Sequence, residues 1–441
     1  MTKYNLSYTL TYIKEYNRVY NWLNGEYVEF DDTTHPFLNI IKNNSNNFDK
    51  FKYQDSYDDF DWLLENKFIV KEQREIQDII RNKVIDINSD KYLQLTLLPA
   101  GMACNFACAY CYEDREQKEK MTKIHQELLL NYISSINSLE ALRIDWFGGE
   151  PLMNKNFIVD FSQAVLSLSK KKGITYYSSM TTNGYYLTKD TFLSLLNCNI
   201  KAYQITIDGL ENDHNKLRPL SNGQPTYKKI IENLSTISEI DNEDFSIVIR
   251  VNFNENSDVD GFLNSITTTK FAKDKRFSFI FRAIQNNWNN VENLVSCTKQ
   301  PSALQDLYDA KAKEKGLIKG DYMLYMDIGT YSCYASRENS LIIYPDMSIR
   351  KCTVALDDER NKVGFINDKA KLVKNSNWNL WTLNKHSIHN KQECQTCSFN
   401  PQCLSSACPL KFIDTGEIIC PHEVYNLENL SNNIIDYIEN K

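Results

Sequence analysis

The sequence predicts an α/β fold: a run of βα units forming a parallel sheet, open or closed as a barrel, between a small N-terminal module and a cysteine-rich C-terminal stretch. Three observations predict it. Short β-branched runs alternate with helix-patterned segments over residues 91–290 without long insertions, the first 90 residues carry hairpin and short-helix signals, and seven of the 12 cysteines fall in 311–441.

Residues 1–90 form the first unit. In RVYNWLNGEYVEF, Asn24-Gly25 reads as a hairpin turn between two short strands within 18–30. Residues 57–66 read as a helix ahead of Phe68-Ile69-Val70, and 72–82 as a polar helix. This is the outline of a winged-helix-like or β-α module with few residues suited to chemistry, so its expected role is binding. Residues 91–310 hold strands at 93–98, 142–147, 174–182, 201–207, 246–252 and 277–283, with helices at 122–136, 156–169, 189–196, 227–238 and 259–267. In such sheets ligands sit at the C-terminal ends of the strands, and the loop after the first strand carries Cys104, Cys108 and Cys111. Residues 311–441 are less regular, and metal is expected to hold them together. The Asn-rich stretches 43–47 and 286–290 read as surface loops.

Composition narrows the function. With 50 Lys+Arg against 57 Asp+Glu the formal charge is -7, and 42% of positions are hydrophobic, which suits a soluble globular protein. The mildly acidic balance, without long basic runs, excludes nucleic acid as the main partner. Apolar runs stop well short of the ~18 residues that span a bilayer, and the polar, Tyr-rich residues 1–17 carry no apolar signal core. The expectation is a cytoplasmic protein with no membrane segment, whose grouped thiols serve as metal ligands instead of disulfides. Cys198 and Cys297 stand alone and read as buried small hydrophobes.

The spacing C-x3-C-x2-C at Cys104, Cys108 and Cys111 can wrap three thiolates around three corners of a cubane iron–sulfur cluster, leaving one iron open to a chelating small molecule. With Tyr110 before the last cysteine, the segment resembles the signature of the radical S-adenosylmethionine (SAM) superfamily. Phe147-Gly148-Gly149-Glu150-Pro151 is similar to that family's glycine-rich motif, whose edge receives the SAM amino group; only glycine lets backbone approach a ligand so closely. Thr182-Asn183-Gly184, Thr206-Ile207-Asp208-Gly209 with His214 and Arg218, and Arg250-Val251-Asn252 resemble its remaining SAM-contacting segments, Thr206 keeping the hydroxyl of the usual serine. The resemblance covers about 200 residues. It implies a partial (β/α)6 TIM-like barrel and SAM bound by Tyr110, Gly148, Gly149, Glu150, Thr182, Asn183, Thr206, Asp208, Arg218 and Asn252.

The C-terminal cysteines resemble the SPASM extension of that superfamily. Here Met347 stands where a glycine is expected, the first gap is slightly long, and Cys403 and Cys408 are one residue farther apart than usual. The resemblance implies two auxiliary 4Fe–4S clusters, one on Cys333, Cys352 and Cys408 and the other on Cys394, Cys397, Cys403 and Cys420, three clusters in all. Cys297, or a substrate thiolate, would complete the former. Spacing alone also fits two zinc sites, one with four thiolates and one with three plus His422 or His389.

In the superfamily, reductive cleavage of SAM yields a 5'-deoxyadenosyl radical that takes hydrogen from an unactivated carbon, with an external donor such as flavodoxin or ferredoxin. Residues 15–85 are similar in pattern to the peptide-recognition module of SPASM enzymes that modify ribosomally made peptides, which add a leader peptide as a strand to a sheet edge; a structural cap over the barrel is the other reading. The expectation is therefore an oxidoreductase acting on a leader-bearing precursor peptide and forming an intramolecular crosslink, a thioether first and a carbon–carbon bond next. Two alternatives stand beside it: an anaerobic sulfatase-maturating enzyme and a zinc-stabilised binding protein.

Overall fold

A computed structural model describes the chain except residues 1–2, 32–33, 44–45, 50–56, 114–118, 285–300, 321–324, 383–391, 406–407 and 440–441. Cys297, His389 and the stretch 286–290 lie outside the described residues. The chain forms two compact units, Met1–Ser89 with Asp321–Glu338 and Asn379–Lys441, and Asp90–Gly320 with Asn339–Trp378.

Among its described residues the first unit has six short strands: β1 (Lys3–Leu6), β2 (Leu10–Ile13), β3 (Arg18–Asn21), β4 (Tyr27–Glu29), β5 (Phe48–Asp49) and β6 (Ile69–Val70). They form two antiparallel sheets, β5-β1-β6 and β2-β3-β4. The turn at Asn24-Gly25 is present, with Gly25 at φ +75° and its N–H donating to Asn21 O at 2.9 Å. The two faces of β3 serve two cores, as period-two alternation requires. Val19 packs with Phe37, Phe60 and Phe68, while the next residue, Tyr20, packs with Trp22, Phe399 and the apolar side of helix Leu427–Glu439 through Leu430, Ile434 and Ile435. Arg18 fastens the same joint, 2.8 Å from Glu29, 3.5 Å from Asp436 and 3.6 Å from Glu439. The segment expected as a polar helix at 72–82 runs instead over Arg74–Ile87 and buries Ile76, Ile80 and Val84, an i, i+4, i+8 stripe.

Among its described residues the second unit is built on a ten-stranded sheet. β7 (Tyr92–Leu97), β8 (Ala141–Trp146), β9 (Thr175–Thr182), β10 (Ile200–Thr206), β11 (Ser246–Phe253) and β12 (Phe277–Ala283) lie side by side in chain order and all run parallel. β7 pairs on its other edge with β13 (Ser340–Ile343), not with β12, so the barrel is partial. β14 (Ser348–Arg350), β15 (Lys362–Ile366) and β16 (Leu372–Lys374) extend that edge antiparallel. Met347, in the turn before β14, holds φ +61°, the backbone conformation for which glycine is the usual residue.

Local chemistry sets the helix limits. Thr122 and His125 form a capping box for Lys123–Ser135, Thr188 and Asp258 cap Lys189–Leu196 and Val259–Ile266, and Gly173 at φ +70° ends Lys155–Lys172. Among the described residues no helix is long and apolar enough to cross a membrane.

Candidate functional site

Cys104, Cys108 and Cys111 lie on the loop after β7, where the sheet rule places a ligand. Two neighbouring segments clamp this loop through its backbone. From the end of β8, Glu150 N donates to Ala103 O at 2.9 Å. From the region after β10, Pro219 O and Leu217 O accept from Ala107 N at 2.8 Å and Ala109 N at 2.9 Å, and Ser221 N donates to Asn105 O at 2.9 Å.

The glycines of Phe147-Gly148-Gly149-Glu150 answer to this clamp. Gly148 has φ +79° and Gly149 φ +40°. A Cβ on Gly149 would stand 2.2 Å from Ala103 O, and one on Gly148 2.4 Å from Leu98 Cγ. The crowding that demands glycine thus comes from the cysteine loop itself. The Gly149 N–H donates to Glu113 Oε2 at 2.8 Å.

Glu150 is fully buried, and its carboxylate accepts from Leu152 N at 3.0 Å, Thr182 Oγ1 at 2.7 Å and Asn183 N at 2.8 Å. Burial nevertheless holds its carboxyl above the ordinary range, those hydrogen bonds opposing the shift. Asn183 donates to Asn105 Oδ1 at 2.7 Å and so ties the end of β9 to the cysteine loop. On the other flank Tyr110 is the hub. Its hydroxyl donates to Asp208 Oδ2 and accepts from Arg218 Nη1 at 2.8 Å and Asn252 Nδ2 at 3.0 Å. Asp208 also accepts from Asn252 N at 3.0 Å and lies 3.8 Å from Arg218, whose guanidinium stacks over Phe106 at 5.6 Å. Burial works against the Arg218 charge, but Tyr110, Cys108 and Asp208 together outweigh it and raise its affinity for the proton. His214 Nδ1 accepts from Asp208 N at 3.1 Å, and burial first, then Arg218, keep the imidazole neutral. Thr206, the last residue of β10, is buried beside this network.

The sequence-predicted Tyr110, Gly148, Gly149, Glu150, Thr182, Asn183, Asp208, Arg218 and Asn252 therefore meet in one network around the cysteine loop. Asn105 and Glu113 belong to it and were not singled out from the sequence; their only signal is adjacency to the cysteine triplet. The donor set fits a cubane cluster and a polar chelating ligand. Burial first, then Glu150 and the other two thiols, push the Cys104 thiol up to about 12, so holding three thiolates here calls for a cationic centre. Among the described residues Arg218 Nε and Asn105 Nδ2 are buried without a partner, leaving donor capacity beside the loop.

In the first unit, Cys394, Cys397, Cys403 and Cys420 line one small pocket with Phe399, Pro421 and Val424. Burial, then Cys394 and Cys420, raise the Cys397 thiol. Cys408 is exposed and outside that lining, at the start of helix Pro409–Thr415. Cys333 belongs to the first unit and Cys352 to the second. Asn361, fully buried, fixes the Cys352 turn: it accepts from Lys351 N at 2.8 Å and Cys352 N at 3.0 Å and donates to Cys352 O at 2.8 Å and Ala355 O at 2.7 Å. Cys198 is buried and packed against Val159 O, as expected of a core thiol. Among the described residues no three His, Cys, Asp or Glu side chains are grouped closely enough to share a single metal ion.

Residues 98–263 match the profile of the Radical SAM superfamily. A serine-type anaerobic sulfatase-maturating enzyme of Bacteroides thetaiotaomicron is 30% identical over 158 residues, 34% of this chain and 37% of that protein. A cysteine-type anaerobic sulfatase-maturating enzyme of Clostridium novyi is 25% identical over 344 residues, 71% of this chain and 87% of that protein. The chain thus matches little more than a third of the first relative's length and most of the second's. Among solved structures, native anSMEcpe with bound AdoMet and Cp18Cys peptide superposes with a TM-score of 0.54 at 15% identity, covering 79% of this chain and 99% of that one. That likeness establishes a shared fold.

Proposed function

We propose that this chain, which carries a radical SAM core and is an enzyme of that superfamily, matures a ribosomally made peptide by installing an intramolecular crosslink, a thioether from a substrate cysteine in the first instance and a carbon–carbon bond in the second. The observation that carries the reading is the construction of the first unit. The small sheet β2-β3-β4, in which β4 is an edge strand among the described residues, shares one core with Phe399 and the partly buried Cys397 and Cys403, so a sheet edge and a cysteine-lined pocket belong to one body. A superposed structure that contains a peptide supports a peptide substrate.

On this reading Cys104, Cys108 and Cys111 hold the SAM-binding 4Fe–4S cluster. The network of Tyr110, Glu150, Thr182, Asn183, Thr206, Asp208, Arg218 and Asn252, with Gly148 and Gly149, shapes the SAM site. When bound, the cluster and SAM would supply one-electron radical chemistry at an unactivated carbon of the peptide. The protein's own part is placement: Glu150 and Tyr110 lock strand ends onto the cysteine loop and so fix the geometry of the cofactor site. Cys394, Cys397, Cys403 and Cys420 would hold an auxiliary cluster, with Cys333, Cys352 and Cys408 as ligands of another, in the manner of a SPASM domain, and the electron would come from an external carrier such as flavodoxin or ferredoxin. The two sulfatase-maturating relatives favour a second reading, oxidation of a cysteine or serine to formylglycine. About a fifth of this chain lies outside the superposition with native anSMEcpe.

The test removes the leader from the peptide instead of residues 1–89 from the enzyme, because deleting Tyr20 and Trp22 would strip Phe399 and the C-terminal helix of their core. Anaerobic turnover of the full-length precursor, lost when the leader is deleted, supports the crosslinking reading. Equal turnover of leaderless peptides containing a sulfatase-type Cys or Ser site supports the second.

A further inference from the structure

The first unit holds a cavity of about 390 Å³ beside β4, an edge strand among the described residues. Its apolar wall is Phe30, Trp62 and Leu63, with Trp62 39% exposed. Three carboxylates, Glu29, Asp31 and Asp59, share the lining with His35, and among the described residues no lysine or arginine does. Glu29 is already spent on Arg18 at 2.8 Å. Among the described residues the ion-pair partner of Asp59 is the imidazole of His35, at 3.9 Å, and Asp59 remains 65% exposed. An aromatic wall under an acidic rim suits one kind of side chain, a methylene stem that covers apolar surface and ends in a cation. An acidic side chain would be repelled here, and a purely apolar one would leave the carboxylates unused.

We propose that this cavity seats a lysine or arginine side chain of the peptide's leader, which lies extended along β4 with its main chain hydrogen-bonded to that edge. The stem rests on Trp62, Phe30 and Leu63, and the charged head reaches Asp31 and Asp59. The inference rests on the peptide-maturase reading above and adds the chemistry by which the leader is chosen: basic residues alternating along an extended segment.

The experiment uses the full-length protein and three fluorescein-labelled octapeptides, lysine alternating with valine and the same peptide with glutamate or norleucine in place of lysine, with Kd read by fluorescence anisotropy at ~0.1 M salt, where exposed charges still interact over ~10 Å. The lysine peptide is expected to bind and the glutamate peptide not to. The double variant Asp31→Asn/Asp59→Asn and, separately, Trp62→Ala are expected to raise Kd about tenfold, as loss of two partly exposed ion pairs or of one cation–π wall implies. Asp78→Asn, which removes an exposed carboxylate on helix Arg74–Ile87, is expected to leave Kd unchanged. The proposal is overturned by absence of binding, by equal affinity for the norleucine peptide, by an unchanged Kd in the double variant, or by an equal loss in Asp78→Asn. Leader-dependent turnover with unchanged Kd in these variants would remove the pocket assignment and keep the maturase. Binding as expected with no peptide ever modified would remove the maturase and keep the pocket.

Discussion

Replacing Gly149 by alanine tests the clamp that shapes the cysteine loop. The new Cβ would stand 2.2 Å from Ala103 O and 2.7 Å from the carbonyl carbons of Met102 and Ala103, whereas real Cβ contacts begin at 3.0–3.4 Å. These neighbours are backbone and cannot rotate away, so one loop must move by about 1 Å, a displacement that can cost ~100-fold in a positioned reaction. Alanine at φ +40° adds about 1–2 kcal/mol of conformational cost, and overpacking about 1–3 kcal/mol more. Gly173→Ala is the matched control: its φ is +70° and among the described residues nothing lies within 4 Å of an added Cβ, leaving only the first cost. With anaerobically reconstituted protein, urea denaturation should therefore show Gly149→Ala about 1–3 kcal/mol less stable than Gly173→Ala. Reductive formation of 5'-deoxyadenosine from SAM should fall ~100-fold in Gly149→Ala and stay within about twofold of wild type in Gly173→Ala. Equal behaviour of the two variants, or a fully active Gly149→Ala, would refute the close approach of the two loops.

Three further outcomes are expected. Replacing Cys104, Cys108 and Cys111 together by alanine should abolish deoxyadenosine formation while leaving iron bound elsewhere in the chain; surviving cleavage of SAM would refute their assignment. Cys420→Ala or Cys394→Ala should lower iron content and soluble yield, because the pocket they line lies beside the core around Phe399; unchanged iron per chain would remove these cysteines from metal binding. His214 is held neutral in the fold, its proton affinity lowered well below the ordinary 6.5 by burial and then Arg218. The unfolded chain binds that proton and the folded chain does not. Its contribution to stability is therefore present above pH ~6.5 and lost as pH falls, by about 1.4 kcal/mol per unit. His214→Asn, which keeps an acceptor for Asp208 N, should show a shallower loss between pH 7.5 and 5.5, and an identical loss would refute the assignment.

The central sheet was legible because its signal is local. The expected strands at 246–252 and 277–283 and helices at 189–196 and 227–238 fall within a residue of the observed ones, since each is a short periodic run closed by its own cap or turn. What escaped was non-local. The strand Ser340–Ile343 joins the sheet beside β7, almost 250 residues earlier in the chain, and no periodicity announces a partner so distant. Likewise Tyr20 and Trp22 meet Phe399 and Ile434, a pairing invisible in either segment alone. In the site the same division holds. Cys104, Cys108 and Cys111 are legible from spacing, and Gly148, Gly149 and Glu150 from a contiguous motif. Asn105, whose buried carboxamide meets Asn183, and Glu113, whose carboxylate takes the Gly149 N–H, declare themselves only once the strands are side by side. Met347 is the instructive exception: the sequence departs from glycine there, yet the backbone keeps the left-handed conformation.

The most direct test of the account is the mass of a Cys-containing precursor peptide encoded beside the gene, co-expressed anaerobically with the full chain and measured before and after thiol alkylation. The account predicts loss of a pair of hydrogens together with loss of one alkylatable cysteine, dependent on Cys104, Cys108 and Cys111. A peptide unchanged in mass, alongside conversion of a sulfatase-derived fragment to formylglycine, would contradict it.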